Sequence, residues 1–135
     1  MAPEQGNTIL HTIQNDGYSF GRSLRYIRRA QGISLRSVAN AVNKTPTYIS
    51  DIERGNNRPP ELALLKELIK ALAMDQESTD IQDYLYDLAA RERGEVSGDI
   101  TEYIMAQSEL RKLIRLAQQK TDIGELWQEC ISRLQ

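Results

Sequence analysis

Cysteine and histidine are almost absent from this chain, which has only Cys130 and His11 among its 135 residues. One cysteine excludes an internal disulfide, and one cysteine with one distant histidine excludes a metal site built from thiolates or imidazoles. The common nucleophile–base pairs of enzymes cannot be assembled either. Because the chain also has no glycine-rich phosphate loop and no triad pattern, the sequence predicts neither a cofactor nor an enzymatic activity.

Long apolar runs are missing as well. No window approaches the roughly 18 apolar residues that a membrane-spanning helix needs, and the opening letters MAPEQGNT lack the basic-then-apolar pattern of a signal peptide. A hydrophobic content of 40% and a charged content of 27% allow one ordinary core, or a small core with an appended helical unit. We therefore expect a globular protein that stays in the cytoplasm and has no membrane partner.

No segment alternates with period two for long enough to be a strand, so the pattern favours an all-α fold. A helix is predicted from Tyr18, and Gly32 can take the left-handed conformation that ends it. The apolar face of this helix consists of Phe20, Leu24 and Ile27. Later helices are predicted from about Glu61 to Leu72 and from Asp80 to Arg91, and further apolar stripes continue to the C-terminus.

The stretch from Ser34 to Gly55 predicts two short helices joined by a tight turn. The inner stripe of the first helix is Val38, Ala39 and Val42, and that of the second is Ile49 and Ile52. Ser34 and Thr45 can cap the two helices, and Pro46 suits the first turn of the second. Asn43 tolerates the positive φ that such a turn often needs. This arrangement is the geometry that places a helix in the DNA major groove.

The net charge of −2 averages two unlike parts of the chain. From Phe20 to Lys70 there are ten Lys or Arg against four Asp or Glu, a local charge of +6. Because phosphates dominate non-specific affinity, such a charge around two paired helices is typical of a nucleic-acid-binding domain, although a merely solvated basic face is the alternative. From Ala71 onward thirteen acidic residues oppose seven basic ones, so we expect no DNA surface there.

The segment LRYIRRAQGISLRSVANAV, followed by KTPTYISDIERGNNRPP, resembles the phage Cro/repressor type of helix-turn-helix, the XRE-like family. The matching positions are the small residue Ala39, the turn residue Asn43 four positions later, and the buried aliphatic residues Ile49 and Ile52. The resemblance covers about Tyr18 to Met74. It implies a lambda-repressor-like five-helix DNA-binding domain, here with an appended C-terminal helical segment.

Two positions depart from the family pattern. Lys44 follows the turn where an apolar residue is usual, and it still suits a phosphate contact. Leu35 stands where a glutamine is often found, which leaves the free N–H groups of the helix N-terminus to bind phosphate. The backbone contacts that the resemblance implies, which position a protein without specifying sequence, are Leu35, Arg36, Lys44, Tyr48 and Arg58. Core packing alone is the alternative role for Tyr48.

The resemblance also assigns base contacts to the outer face of the second of these helices. The positions concerned are Thr45, Pro46, Thr47, Ser50 and Asp51. Thr and Ser can bond to either base type, and Asp can accept from cytosine N4, but none is a strong bidentate group. We therefore expect DNA shape to contribute to recognition, with Thr47 as the foremost base contact. For Ser50 and Asp51, simple solvation is the alternative.

Arg28 and Glu53 stand where related domains have an arginine late in the first helix of the domain and a glutamate near the end of the third. The resemblance implies a partly buried, charge-assisted pair between them. Its role would be structural, because an acidic residue facing phosphate is unfavourable.

We expect three parts in the chain: a flexible N-terminal arm over residues 1–17, a helix-turn-helix DNA-binding domain over 18–92, and a C-terminal helical segment over 93–135 for dimerisation or partner binding. The stretch RGEVSGD is the predicted joint. The whole chain resembles compact bacterial and mobile-element XRE-like regulators. This predicts a homodimeric repressor that binds an inverted-repeat operator in double-stranded DNA. The alternative is an antitoxin that autoregulates its operon and neutralises a protein partner through its C-terminal half.

Overall fold

The computed structural model describes residues 3–74 and 79–135, and every regular element within these ranges is an α-helix. The nine helices described are α1 (Pro3–Asn15), α2 (Phe20–Ala30), α3 (Leu35–Ala41), α4 (Pro46–Glu53), α5 (Leu62–Ala71), α6 (Thr79–Arg93), α7 (Gly98–Ala106), α8 (Ser108–Ala117) and α9 (Gly124–Leu134). The all-α prediction is confirmed. None of the described helices is long and apolar enough to cross a membrane.

The chain divides into two compact units, Met1–Asp99 and Ile100–Gln135. The first unit contains α1 to α6 around a single hydrophobic core, and its helices α2 to α6 are the five that the sequence predicts between residues 18 and 92. The largest fully buried side chains of this core include Phe20, Leu24, Ile27, Ile49, Ile52, Leu68, Leu72, Ile81 and Leu85. The inner stripes predicted from helical periodicity therefore meet in one place.

The N-terminal segment differs from the prediction of a flexible arm over residues 1–17. It forms α1, in which Ile9 is 3% exposed and Ile13 is fully buried in the core. These two side chains are four residues apart, so they lie on one face of a helix. Burial of that face against the core stabilises a segment whose sequence alone has little helical signal.

The predicted joint also lies closer to the first unit than the boundary at residue 93 implies. Helix α6 continues to Arg93, whose Nη1 donates to the carbonyl oxygen of Pro59 at 3.0 Å. The same guanidinium group lies 3.5 Å from a carboxylate oxygen of Glu61 and 3.3 Å from one of Glu95. Gly94, with φ of +75°, then ends the helix. Arg93 thus holds the start of the joint against the first unit.

The second unit contains α8, α9 and most of α7, and no residue of these three helices is buried. Arg111 donates to the carbonyl oxygens of Ile104 and Met105, which caps the end of α7. Many of the large apolar side chains of the unit are exposed: Ile100, Tyr103, Met105, Leu113, Ile114, Leu116, Leu126, Ile131 and Leu134. A single copy of this unit therefore leaves its apolar faces in contact with water.

Helices α2 and α4 approach each other so closely that only a glycine fits at residue 21. A Cβ atom on Gly21 would lie 2.2 Å from the carbonyl oxygen of Ile52 and 2.8 Å from that of Glu53. Both distances are far below van der Waals contact. A backbone carbonyl group, unlike a flexible side chain, cannot rotate away to relieve such a clash. Gly21 therefore determines how near α2 lies to the last turn of α4.

We expect Gly21→Ala to lower the free energy of unfolding by about 1–3 kcal/mol, the usual effect of overpacking, although alanine is the better helix former. Gly124→Ala is the matched control, because a Cβ at Gly124 meets no atom within 4 Å. This control should leave the free energy unchanged or raise it by up to about 1 kcal/mol. Urea denaturation measures both, and equal stability of Gly21→Ala and the unsubstituted protein would contradict the packing argument.

Candidate nucleic-acid interface

Helices α3 and α4 are joined by a turn of four residues, 42–45. Asn43 adopts φ of +56°, the left-handed conformation that the sequence assigns to this position. The N–H of Lys44 donates to the carbonyl oxygen of Ala39 at 2.9 Å, which closes the end of α3. The turn thereby brings the two short helices together and leaves the Lys44 side chain exposed.

Both helices begin with a side-chain cap. The Ser34 hydroxyl oxygen accepts from the N–H of Ser37 at 3.1 Å, and Thr45 Oγ1 accepts from the N–H of Tyr48 at 3.1 Å. Pro46 occupies the first turn of α4, where its missing N–H costs nothing. Because the Thr45 oxygen serves as an acceptor within the helix, its hydroxyl proton remains available for a bond to another molecule.

Helix α4 has one buried face and one open face. Ile49 and Ile52 are 0% and 1% exposed on the inner side. The predicted base-contacting residues lie on the outer side, where Thr45, Pro46 and Thr47 are exposed and Ser50 and Asp51 are half-buried. Asp51 Oδ1 accepts from Nη2 of Arg54 at 2.9 Å, so one of its carboxylate oxygens is already engaged. The structure thus gathers these five residues on one exposed surface.

The predicted phosphate-contacting residues come from the start of α3, the turn, α4 and the loop after it. Arg36 is exposed in the first turn of α3, and Arg58 is exposed in the loop after α4. Leu35, the first residue of α3, is half-buried, with its backbone N–H at the helix start. The Lys44 ammonium lies 5.4 Å from the ring centroid of Tyr48. The Tyr48 ring is half-buried against the core, so this residue packs on the helix pair and stacks with a cation at the same time.

Arg28 and Glu53 join α2 to the end of α4. Arg28 Nε donates to Glu53 Oε2 at 2.9 Å, and Nη2 donates to Oε1 at 2.9 Å, a bidentate pair. The two side chains are 11% and 4% exposed. Arg28 Nη1 also donates to the carbonyl oxygen of Ile33 at 3.0 Å, which ties the loop before α3 to the same pair. One guanidinium group therefore connects α2, the following loop and α4.

The sequence interpretation missed two further arginines beside this surface. Arg25 and Arg29 line a hollow that they share with Arg28, Leu35, Ser50, Glu53 and Arg54. They therefore border the start of α3 and the outer side of α4. Their spacing of four residues along α2 placed them on one face, but the sequence could not show which other elements that face adjoins.

The end of α6 also supports the interface, a role that sequence reasoning did not assign. A carboxylate oxygen of Glu92 accepts from the N–H of Phe20 at 2.6 Å, and Arg93 binds the carbonyl oxygen of Pro59. Pro59 directly follows Arg58. The end of α6 thus holds both the start of α2 and the loop that carries Arg58.

Negative charge is concentrated elsewhere in the first unit. Burial raises the pKa of the Asp83 carboxyl on α6, and the nearby carboxylates of Asp99, Asp87 and Asp80 raise it further. This cluster would repel phosphate, unlike the surface around α4. Within the described part of the chain, no three acidic, histidine or cysteine side chains are grouped so as to hold a metal ion.

Comparison with known proteins identifies one domain. A family model described as helix-turn-helix matches residues 24–75, which extend from within α2 past the end of α5. No match was found among curated proteins or among solved structures. The matched segment contains the α3–turn–α4 unit and both members of the Arg28–Glu53 pair.

We expect Glu53→Ala to lower the free energy of unfolding by about 3–5 kcal/mol, because it leaves the Arg28 guanidinium buried and uncompensated. The double variant Arg28→Met/Glu53→Leu should be more stable than Glu53→Ala alone, since it leaves no buried charge. Arg54→Ala, which removes an exposed pair at the same end of α4, is the control and should lose less than about 1 kcal/mol. Denaturant titration of all three variants tests this order, and a Glu53→Ala loss no larger than that of Arg54→Ala would refute it.

Proposed function

We propose that the chain is a repressor of the XRE-like helix-turn-helix family of DNA-binding transcription regulators, on the basis of the match over residues 24–75, and that it binds an inverted-repeat operator as a homodimer. The observation that carries the DNA-binding part is the division of α4 into a buried apolar face and an open polar face, with exposed cations in the segments that adjoin it in sequence. A repressor of this kind acts where its operator lies, so we propose a cytoplasmic location.

In this proposal α4 enters the major groove and its outer residues contact base edges. Thr47 is the central contact, because its exposed hydroxyl can donate or accept and its methyl group can meet a thymine methyl. Thr45 can contribute its hydroxyl proton, since its oxygen already accepts the bond that caps α4. Pro46, Ser50 and the free oxygen of Asp51 complete the set. Such small groups discriminate weakly, so DNA deformability supplies part of the specificity.

The phosphate contacts in this proposal flank α4 on several sides. The N–H of Leu35 and the side chain of Arg36 act from the start of α3, Lys44 and Tyr48 from the turn and α4, and Arg58 from the following loop. Each side-chain cation replaces condensed counterions on the duplex, so each contributes to the salt dependence of affinity. These contacts fix the register of α4, and the Arg28–Glu53 pair maintains its orientation.

Dimerisation is proposed for the second unit because a single copy leaves its apolar side chains uncovered. Leu113, Ile114, Leu126 and Ile131 are between 38% and 48% exposed, and burying such side chains against a second copy is favourable. The charges suit self-association, since α8 has three basic residues and one acidic residue whereas α7 has two acidic residues and no basic one. A symmetric dimer would offer two reading helices about one helical turn of DNA apart, roughly 34 Å.

The exposed apolar helices also suit a second candidate function. In the antitoxin alternative, the same surface of the second unit covers and neutralises a partner protein, and the first unit autoregulates the operon. Co-purification of a stoichiometric small protein, whose binding is lost with Leu126→Glu/Ile131→Glu, would favour this alternative over the homodimer.

Selection of bound sequences from a random duplex pool, at several salt concentrations, tests the DNA proposal. We expect a motif with twofold symmetry, and recovery of single-copy motifs only would contradict the symmetric operator.

On the selected duplex, Lys44→Ala should weaken binding to all sequences alike and flatten the salt slope by about one unit. Thr47→Ala should instead relax the preference at one position of each half-site with no change in salt slope. Equal salt slopes for Lys44→Ala and the unsubstituted protein would remove Lys44 from the phosphate contacts.

We expect the unsubstituted protein to sediment as a dimer and Leu126→Glu/Ile131→Glu to sediment as a monomer, because both new carboxylates would be buried unpaired in the interface. Gln128→Glu, a charge added at an exposed polar position of α9, is the control and should remain dimeric. The monomeric variant should bind a two-half-site duplex at least about a hundredfold more weakly, and a single half-site with unchanged affinity. A monomeric unsubstituted protein would contradict the proposal.

A further inference from the structure

A groove of about 610 Å³ on the first unit is lined by cations and aromatic rings alone, apart from one alanine. Its walls are Tyr18, Arg22, Arg25, Tyr26, Arg29 and Ala30. The three arginines stand at i, i+3 and i+7 of α2, so they form one stripe along the helix surface. This arginine stripe lies outside the positions assigned to DNA above, and its charge is +3 with no acidic residue in the groove.

Within the part of the chain that the structure describes, the arginine stripe lacks the ion pairs that other arginines make. Other arginines of the first unit are paired: Arg28 with Glu53, Arg54 with Asp51, and Arg93 with Glu61 and Glu95. Among the residues that the structure describes, no carboxylate lies within ion-pair distance of the guanidinium groups of Arg22, Arg25 or Arg29. Their charge is therefore available to a ligand.

Two tyrosines orient the first arginine of the stripe. The guanidinium carbon of Arg22 lies 4.1 Å from the ring centroid of Tyr18, and the Tyr18 and Tyr26 rings meet edge to face at 5.7 Å. A guanidinium group stacked on a ring keeps its N–H donors free at its edge, and the stacking reduces the rotamer freedom that is lost on binding. A merely solvated arginine would need no such support.

The stripe is continuous with the DNA-facing surface. Arg25 and Arg29 line the groove and also the adjoining hollow that contains Leu35 and Ser50. The distance along α2 from Arg22 to Arg29 is about 10 Å at 1.5 Å per residue. Because each of the three arginine side chains can reach a different phosphate, the stripe can contact up to three phosphates.

We propose that Arg22, Arg25 and Arg29, supported by Tyr18 and Tyr26, bind the sugar–phosphate backbone beyond the phosphates contacted by α3 and α4. The inference rests on the proposed function in taking double-stranded DNA as the ligand, but it requires neither a dimer nor a symmetric operator. The stripe lengthens the track of phosphate contacts and adds affinity without adding sequence information.

The first test uses a duplex of unselected sequence and the variant Arg22→Ala/Arg25→Ala/Arg29→Ala. The slope of log affinity against log salt concentration should fall by about three units, one for each arginine. The control Lys66→Ala/Lys70→Ala/Arg91→Ala removes the same charge from exposed positions of α5 and α6, and its slope should stay close to that of the unsubstituted protein. Equal slopes for the two triple variants would overturn the proposal. Thermal unfolding of both variants shows whether their stabilities match.

Phosphate ethylation interference on a selected duplex, extended well beyond the motif, provides a test with spatial resolution. The α2 triple variant should lose interference at about three neighbouring phosphates and retain it at the rest, whereas an even weakening along the whole site would refute a local contact.

Tyr18→Leu should weaken binding by about two- to fivefold and Tyr18→Phe should not, because only the former removes the ring beneath Arg22. Equal affinities for these two variants would refute the role of the ring.

The outcomes separate this inference from the proposed function. Failure of the unsubstituted protein to bind any duplex would refute both. Sequence-selective binding that the α2 triple variant retains, with unchanged salt slope, would refute only the arginine stripe. Loss of binding to a polyglutamate peptide by that variant, at unchanged DNA affinity, would reassign the groove to an acidic polypeptide.

Discussion

The packing of α2 against α4 is the constraint on which the rest of the structure depends. Helix α4 has only eight residues, too few to be stable or to hold a direction by itself. Gly21 lets the start of α2 touch the last turn of α4, and the Arg28–Glu53 pair joins the later part of α2 to the same turn. The outward presentation of Thr47 and its neighbours follows from this crossing.

The two units of the chain differ in how far they bury their apolar side chains. In the first unit, six helices bury their apolar faces in one continuous core, so the polar side chains on the outside are available to bind a ligand. In the second, the helices leave many large apolar side chains exposed, and the proposed dimer would cover them. The charges do not follow this division, because the cations around α2 to α4 and the acidic excess of residues 71–99 both belong to the first unit, whereas the second unit has five acidic and five basic residues. Positive and negative charge are thus separated within the first unit, with the cations on the helix-turn-helix side.

Features governed by neighbouring residues could be predicted closely from the sequence. The caps at Ser34 and Thr45 and the positive φ of Asn43 and Gly32 occur as expected, because a cap or a left-handed residue depends on a few adjacent positions. The N-terminal segment could not be predicted in this way. Its two buried isoleucines make too weak a local signal, and α1 forms because the core accepts them.

By itself, the sequence determined the helical class, the two short helices with their turn, and the concentration of positive charge. Through the family resemblance it also identified Arg28 and Glu53 as an ion pair. Periodicity, capping and composition are local or additive properties, so they can be inferred without coordinates. Only the tertiary structure decided that Arg93 holds the loop beside Arg58, and that Arg25 and Arg29 adjoin Leu35 and Ser50. These relations depend on which helix faces lie against each other, and that is set by the packing of the whole core rather than by any single segment.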